Sequence, residues 1–201
     1  MAEVPVRRGF ADAARPEIAR LFWAAFRGKL GAVMGPEAQA LRFLERAADP
    51  AHALCATAED GAVLGVAGFK TAAGGFIGGG LSDLAGVYGW FGALWRGALL
   101  AALERKPPVD LLQMDGIFVA EAARGRGVGA ALLDAVAQEA RQRGLAGVTL
   151  DVIDVNPRAR ALYERRGFRA VATQRTGPLR HVFGFASATR MELRFADEVV
   201  G

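Results

Sequence analysis

The sequence predicts a mixed α/β fold, and three observations carry that prediction. Strand-like and helix-like segments alternate along the second half of the chain, the order of a parallel crossover. Residues 51–57 and 63–69 read as two strands joined by the turn Glu59-Asp60-Gly61, the pattern of an antiparallel hairpin. The 201 residues are 52% hydrophobic with a mean hydropathy of +0.20, enough for a large core and too apolar for a disordered chain. A sheet with both parallel and antiparallel neighbours satisfies all three.

The elements follow in order. Residues 4–10 open the chain as a strand. Residues 11–26 place Ile18, Leu21, Phe22, Ala25 and Phe26 at helical spacing. Residues 36–47 repeat the pattern with Leu41 and Leu44, and Pro36 suits a helix start. After the hairpin, residues 74–80 are a glycine-rich loop. Residues 82–106 look helical, broken or bent between Gly86 and Gly92 and stopped by Pro107-Pro108. A buried strand over residues 111–119 comes next, then a helix over residues 128–143 ended by Gly144. Residues 148–152 form a strand, a helix lies within residues 156–168, and residues 169–173 and 190–195 return to strand. No composition break divides the chain, so one domain over residues 1–201 is expected, with about residues 71–108 as an insertion in it.

Charge and cysteine usage narrow the function. The net charge is +4, with much of the arginine between Arg124 and Arg180. A mild basic excess beside a glycine turn suits an anionic cofactor, and no Lys/Arg block of the nucleic-acid-binding kind is present. Cys55 lies in an apolar run and reads as a core residue. His52 and His181 lack ligand spacing, so no metal site is expected. The N-terminus carries no signal-peptide pattern, which points to the cytoplasm.

The chemistry gathers in residues 111–168. The turn Arg124-Gly125-Arg126-Gly127-Val128-Gly129 follows a strand and opens a helix. Glycines there let backbone N–H groups reach an anion, and the helix N-terminus adds partial positive charge. A second helix start, Asn156-Pro157, precedes the phenol of Tyr163. Gly125, Gly127 and Ala130 also fit the dinucleotide pattern, with Asp151 in place of its ribose-binding acid. Against that alternative, the turn lies late in the chain and too little sequence follows for a doubly wound sheet.

The turn resembles the acyl-CoA signature of the GNAT family of N-acetyltransferases. That signature is Gln or Arg, two residues, Gly, one residue, then Gly or Ala, and Arg124, Gly127 and Gly129 fill it. The segment from Asn156 through Leu162-Tyr163-Glu164 to Gly167-Phe168 is similar to the family's second motif. The resemblance follows the element order of the whole chain and is specific over residues 111–168. It implies a three-layer α/β/α fold with a splayed central sheet and a helical insertion before the cofactor strand. It also implies acetyl-CoA as cosubstrate and direct acetyl transfer to an amine, on a small molecule or a peptide. A non-catalytic CoA-binding module of the same fold is the alternative within the family.

Roles carry over by position. Backbone N–H groups of Gly125, Arg126, Gly127, Val128 and Gly129 would hold the CoA pyrophosphate. Main-chain groups of Ile117, Phe118 and Val119 would pair with the pantetheine arm as an added strand, one of them polarising the thioester carbonyl. Arg124 would sit at the cradle or remain a surface cation, and Arg160 would meet the adenosine phosphates or solvent. Asn156 would contact pantetheine or cap its own helix. Tyr163 would protonate the departing thiolate or serve as a core phenol. For the general base, Asp115 comes first, on the same face as Gln113, Ile117 and Val119 by strand alternation, then Asp151. Many relatives carry Glu where this chain has Gln113, so a water relay is the third option.

The segment of residues 81–103 carries Tyr88, Trp90, Phe91, Leu94, Trp95, Leu99 and Leu100. Asp83, Arg96 and the glycines argue against a membrane span. Packing over the sheet or a homodimer contact is expected ahead of a pocket wall or lid.

Overall fold

A computed structural model gives the structure of residues 4–103 and 109–196. The strands are β1 (Val6–Arg8), β2 (Ala53–Thr57), β3 (Val63–Thr71), β4 (Gly74–Gly75), β5 (Leu111–Val119), β6 (Gly147–Ile153), β7 (Arg169–Arg175) and β8 (Ser187–Arg194). The helices are α1 (Arg15–Met34), α2 (Glu37–Ala47), α3 (Leu81–Leu103), α4 (Val128–Gln142), α5 (Pro157–Arg165) and α6 (Arg180–Phe183). Residues 104–106 of the expected inserted helix, and its Pro107-Pro108 stop, lie outside the described residues.

The sheet runs β1-β2-β3-β5-β6-β8-β7, with β4 paired to β3. Among the described strands only β5 and β6 are parallel neighbours, and α4 is their crossover. The other pairings are antiparallel, so this is not the doubly wound parallel sheet of a dinucleotide enzyme. The chain order differs from the space order at the end: β8 inserts between β6 and β7, and the short α6 before it was not foreseen.

Helices cover both faces. The amphipathic α4 buries Leu132, Leu133, Val136 and Ala140 against Leu54, Ala67, Leu112, Val148 and Leu150 of the sheet. Its buried Glu139 is 5% exposed and is held by Arg8 and Arg143, each at 2.7 Å, so the charge is compensated. On the opposite face, Ile18 of α1 packs with Cys55, Val66 and Phe118. The α2 helix buries Ala40, Phe43, Leu44 and Ala47, spaced i, i+3, i+4 and i+7, one helical stripe. The α1 helix runs well past the expected end at Phe26, through Gly28 and Gly31. Burial of Val33 and Met34 outweighs the roughly 1 kcal/mol helix cost of each glycine.

The inserted segment breaks at Gly89, whose φ of 70° is left-handed. A straight helix would put Leu81 and Gly97 about 24 Å apart. Yet a Cβ added at Gly97 would lie 3.3 Å from Leu81 Cδ1, so α3 folds back on itself as a helical hairpin. Its inner side packs Leu84, Val87 and Ala93 with α1 and α2. Tyr88 donates a hydrogen bond to the Met34 carbonyl, and Arg96 stacks on Tyr88 and Trp95. Trp90 and Phe91, at the turn, are exposed. Among the described residues no helix is long and apolar enough to cross a membrane.

Candidate active site

The site begins where two strands part. β5 pairs with β3 along its length, from Lys70↔Gln113 to Gly65↔Val119. It pairs with β6 only from Leu111↔Gly147 to Met114↔Leu150. Meanwhile β6 stays on β8 as far as Ile153↔Ala188. Beyond Met114 and Leu150 the parallel strands therefore diverge, and the β6-facing edge of residues 115–119 has no ladder partner among the described strands. Backbone N–H and C=O groups on such an edge are a template for an added extended chain.

A bulge sits at the same point. Phe69 faces Met114 and Gly68 faces Gly116, so Asp115 is the extra residue. The bulge corrects the expected facing of this strand. Gln113 and Asp115 line a cavity on the α1 side, whereas Ile117 and Val119 pack towards the α4 cluster. Simple alternation had put all four on one face; one inserted residue reverses the phase for everything after it. Gly116 lets the Phe26 ring lie close over the strand: a Cβ there would come within 2.6 Å of Phe26 Cζ, and the ring would have to shift.

The glycine turn lies just beyond β5. Gly125 and Gly127 have φ of 74° and 84°, a left-handed backbone that other residues adopt only with strain. Gly127 is the N-cap of α4 and no side chain caps that end. The first helical N–H groups are therefore left to an outside acceptor, with the helix dipole behind them. A Cβ at Gly125 would meet nothing within 4 Å, so this side of the turn is open. Arg124 and Arg126 are exposed at the turn.

α5 closes the other wall. Leu162 Cδ2 would lie 3.3 Å from a Cβ at Gly129, which brings α5 against the start of α4. Asn156 caps α5, its Oδ1 accepting from Ala159 N at 3.2 Å. Arg160 pairs with Glu164 at 2.9 Å on the exposed side. Tyr163 is 6% exposed, in the cluster under α4 and 5.9 Å from the Phe168 ring. Burial pushes its phenol well above the usual value, so the phenolate is disfavoured more than in an exposed tyrosine.

Asp115 and Asp151 are the first residues past the last β5–β6 pair, on adjacent strands, and both line the cavity. Their side chains are 22% and 25% exposed. Lys70 lies 3.8 Å from Asp115, and Arg190 lies 3.7 Å from Asp151. The cavity is an open cleft of about 590 Å³. Its walls come from α1, α2, the α3 hairpin and Phe185, so the insertion both packs and lines the pocket. Sequence reasoning missed Lys70, Trp23, Phe43 and Arg190 as neighbours of this site. The register Lys70↔Gln113 and Asp151↔Arg190 brings two of them there, and no local motif announces register. Among the described residues no cluster of three or more His, Cys, Asp or Glu side chains could hold a metal ion.

The fold and the motifs match known proteins. The acetyltransferase (GNAT) family model matches residues 15–168. An N-acetyltransferase from Staphylococcus aureus Mu50 superposes with a TM-score of 0.67 at 16% identity, over 94% of this chain and 100% of that one. A GCN5-related N-acetyltransferase from Kribbella flavida gives 0.61 at 21% identity, over 96% and 98%. A structure described as an acetyltransferase gives 0.62 at 22% identity, over 96% and 100%. At these identities the likeness is one of fold. No curated protein matches the chain. The family match runs from the start of α1 to the end of the second motif, well over half of the sequence, and this protein belongs to the acetyltransferase (GNAT) family.

Proposed function

We propose that the protein transfers an acetyl group from acetyl-CoA directly to an acceptor amine. The observation that carries this reading is the divergence of β5 from β6 after Met114↔Leu150, which leaves an open strand edge leading to the uncapped start of α4. An edge of hydrogen-bonding backbone followed by an anion cradle fits a long amide-bearing arm ending in phosphates. Residues 125–129 hold the pyrophosphate through backbone N–H groups, with Arg124 beside them. Ile117, Phe118 and Val119 align the pantetheine, and one of their N–H groups polarises the thioester carbonyl. Bound there, acetyl-CoA supplies the activated acetyl group.

The chain's side chains then handle protons. Tyr163, neutral as any phenol is at physiological pH, gives its proton to the leaving sulfur. Asp115 accepts the proton of the attacking amine, directly or through a water, with Asp151 as the second carboxylate of the pair. Asn156 fixes the start of α5 and leaves its amide N–H₂ for the pantetheine, and Arg160 reaches the adenosine phosphates on exchanging Glu164 for them. The non-catalytic alternative keeps the cradle and lacks the proton chemistry.

Calorimetric titration with acetyl-CoA, with NAD in parallel, tests the reading. Micromolar acetyl-CoA binding without NAD binding, followed by amine-dependent thiol release, is the expected result. Binding without thiol release on any amine would establish the non-catalytic module; no acetyl-CoA binding would sink the reading.

A further inference from the structure

The cavity beside the diverging strands has a polar floor and apolar walls. The floor holds the carboxylates of Asp115 and Asp151 and the amide of Gln113. Gln113 Oε1 is buried and has no hydrogen-bond partner. Unpaired buried acceptors are rare and costly, so this one invites a donor from a ligand. An ammonium group carries three N–H donors, and the floor offers three acceptor groups. The walls are Phe22, Trp23, Met34, Phe43, Leu84 and Leu100, from both helices of the α1–α2 pair and from both arms of the α3 hairpin. These walls offer few partners to a second charge. Lys29 and Lys70 also line the cavity, Lys70 at 3.8 Å from Asp115, so the incoming ammonium shares that carboxylate with a cation and a second positive charge on the ligand is disfavoured further. A volume near 590 Å³ is of the size that encloses a small molecule.

We infer that the acceptor is a monoamine with an extended apolar body, aliphatic or aromatic. Its nitrogen sits on Asp115, Asp151 and Gln113, and its body fills the space between α1, α2 and the α3 hairpin. The inference rests on the acyl-transfer reading for its chemistry but not for its binding. In the transfer step the ammonium first loses one proton to a floor carboxylate, which passes it to solvent. The free amine bonds to the thioester carbonyl carbon, the C–S bond breaks, the sulfur leaves as a thiol with the Tyr163 proton, and the second nitrogen proton, lost as the amide forms, returns through water to the phenol.

The test is a series of straight-chain primary amines from propylamine to octylamine, with phenethylamine, spermidine, glycine and a short peptide for contrast. Two readouts run side by side. One is KM by thiol release from acetyl-CoA. The other is the dissociation constant by fluorescence of Trp23 in a Trp90→Phe, Trp95→Phe background with CoA present, which needs no turnover. Each added methylene is expected to lower both by up to about fourfold until the cavity is full, the ratio that full burial of one CH₂ group gives. Ala101→Phe, at an exposed position on the cavity lining, should cancel the gain for the longer amines and leave propylamine nearly unchanged. A flat series, or preference for spermidine, glycine or the peptide, overturns the inference. So does a rise in rate with longer acyl-CoA donors in place of longer amines, which would give the cavity to the acyl chain. Calorimetry with acetyl-CoA on the same protein separates the two claims. The methylene series with no acetyl-CoA binding removes the transferase reading and keeps the amine cavity; acetyl-CoA binding with no series removes only the amine.

Discussion

The two sides of the diverging strands are built from different materials. On the cradle side, β5, the glycine turn, α4 and α5 present backbone: an open strand edge and the bare N-terminus of a helix. On the cavity side, α1, α2 and the α3 hairpin present side chains, with charge confined mostly to the floor. Backbone recognition demands particular conformations, as at Gly125 and Gly127, and so writes a fixed pattern into the sequence. Side-chain walls can be made from many apolar residues in many orders, and write none. The turn in one half therefore resembles a family signature, while the walls of the other half carry no such pattern.

Substitutions on the two sides should then fail in different ways. The largest expected effect is Gly127→Glu, which puts a side chain on a left-handed backbone and a carboxylate in the anion cradle. Acetyl-CoA affinity by calorimetry should fall at least about 100-fold, which is about 2.7 kcal/mol, while the Trp23 fluorescence response to octylamine stays in place. Tyr163→Phe should lower kcat by about 100-fold and leave acetyl-CoA affinity within about twofold, since a proton donor acts in the step and not in binding. Unchanged turnover would leave Tyr163 a core residue. Asp115→Asn should cost about tenfold or more in kcat/KM for octylamine, and more than Asp151→Asn; the reverse order would exchange their roles. The smallest effect is Asn156→Ala, about 1 kcal/mol of stability through loss of the α5 cap, read by denaturant unfolding.

Tyr163 also sets a pH dependence of stability. Its folded-state value lies above the ordinary 10, because burial disfavours the phenolate. The unfolded chain thus releases this proton first as pH rises. The stabilisation is complete below pH 10 and is lost progressively above it, and Tyr163→Phe should flatten that alkaline decline.

Much of the fold was legible because its signals are local. The span of α2, though not its full stripe, the Gly61 turn of the hairpin and the glycine stop after α4 all reflect neighbours in sequence. The divergence of β5 and β6 was expected only through resemblance, since it depends on where a parallel ladder ends. The facing of Ile117 and Val119 was misread because a bulge is one residue long and leaves no mark in hydrophobic alternation. The placement of β8 inside β7 and the pairing of Lys70 with Asp115 are likewise matters of register. The hairpin in α3 was half legible: its glycines predicted the break, and only contacts such as Gly97 with Leu81 fix the fold-back.

The central claim is that the open edge of β5 and the start of α4 together receive acetyl-CoA. Amide hydrogen exchange with and without acetyl-CoA tests it residue by residue. The account predicts new protection at Ile117, Val119, Val128 and Gly129, with little change at β1 or β7. Protection confined to the walls of the cavity, or none at β5 and α4 at saturating acetyl-CoA, would contradict it.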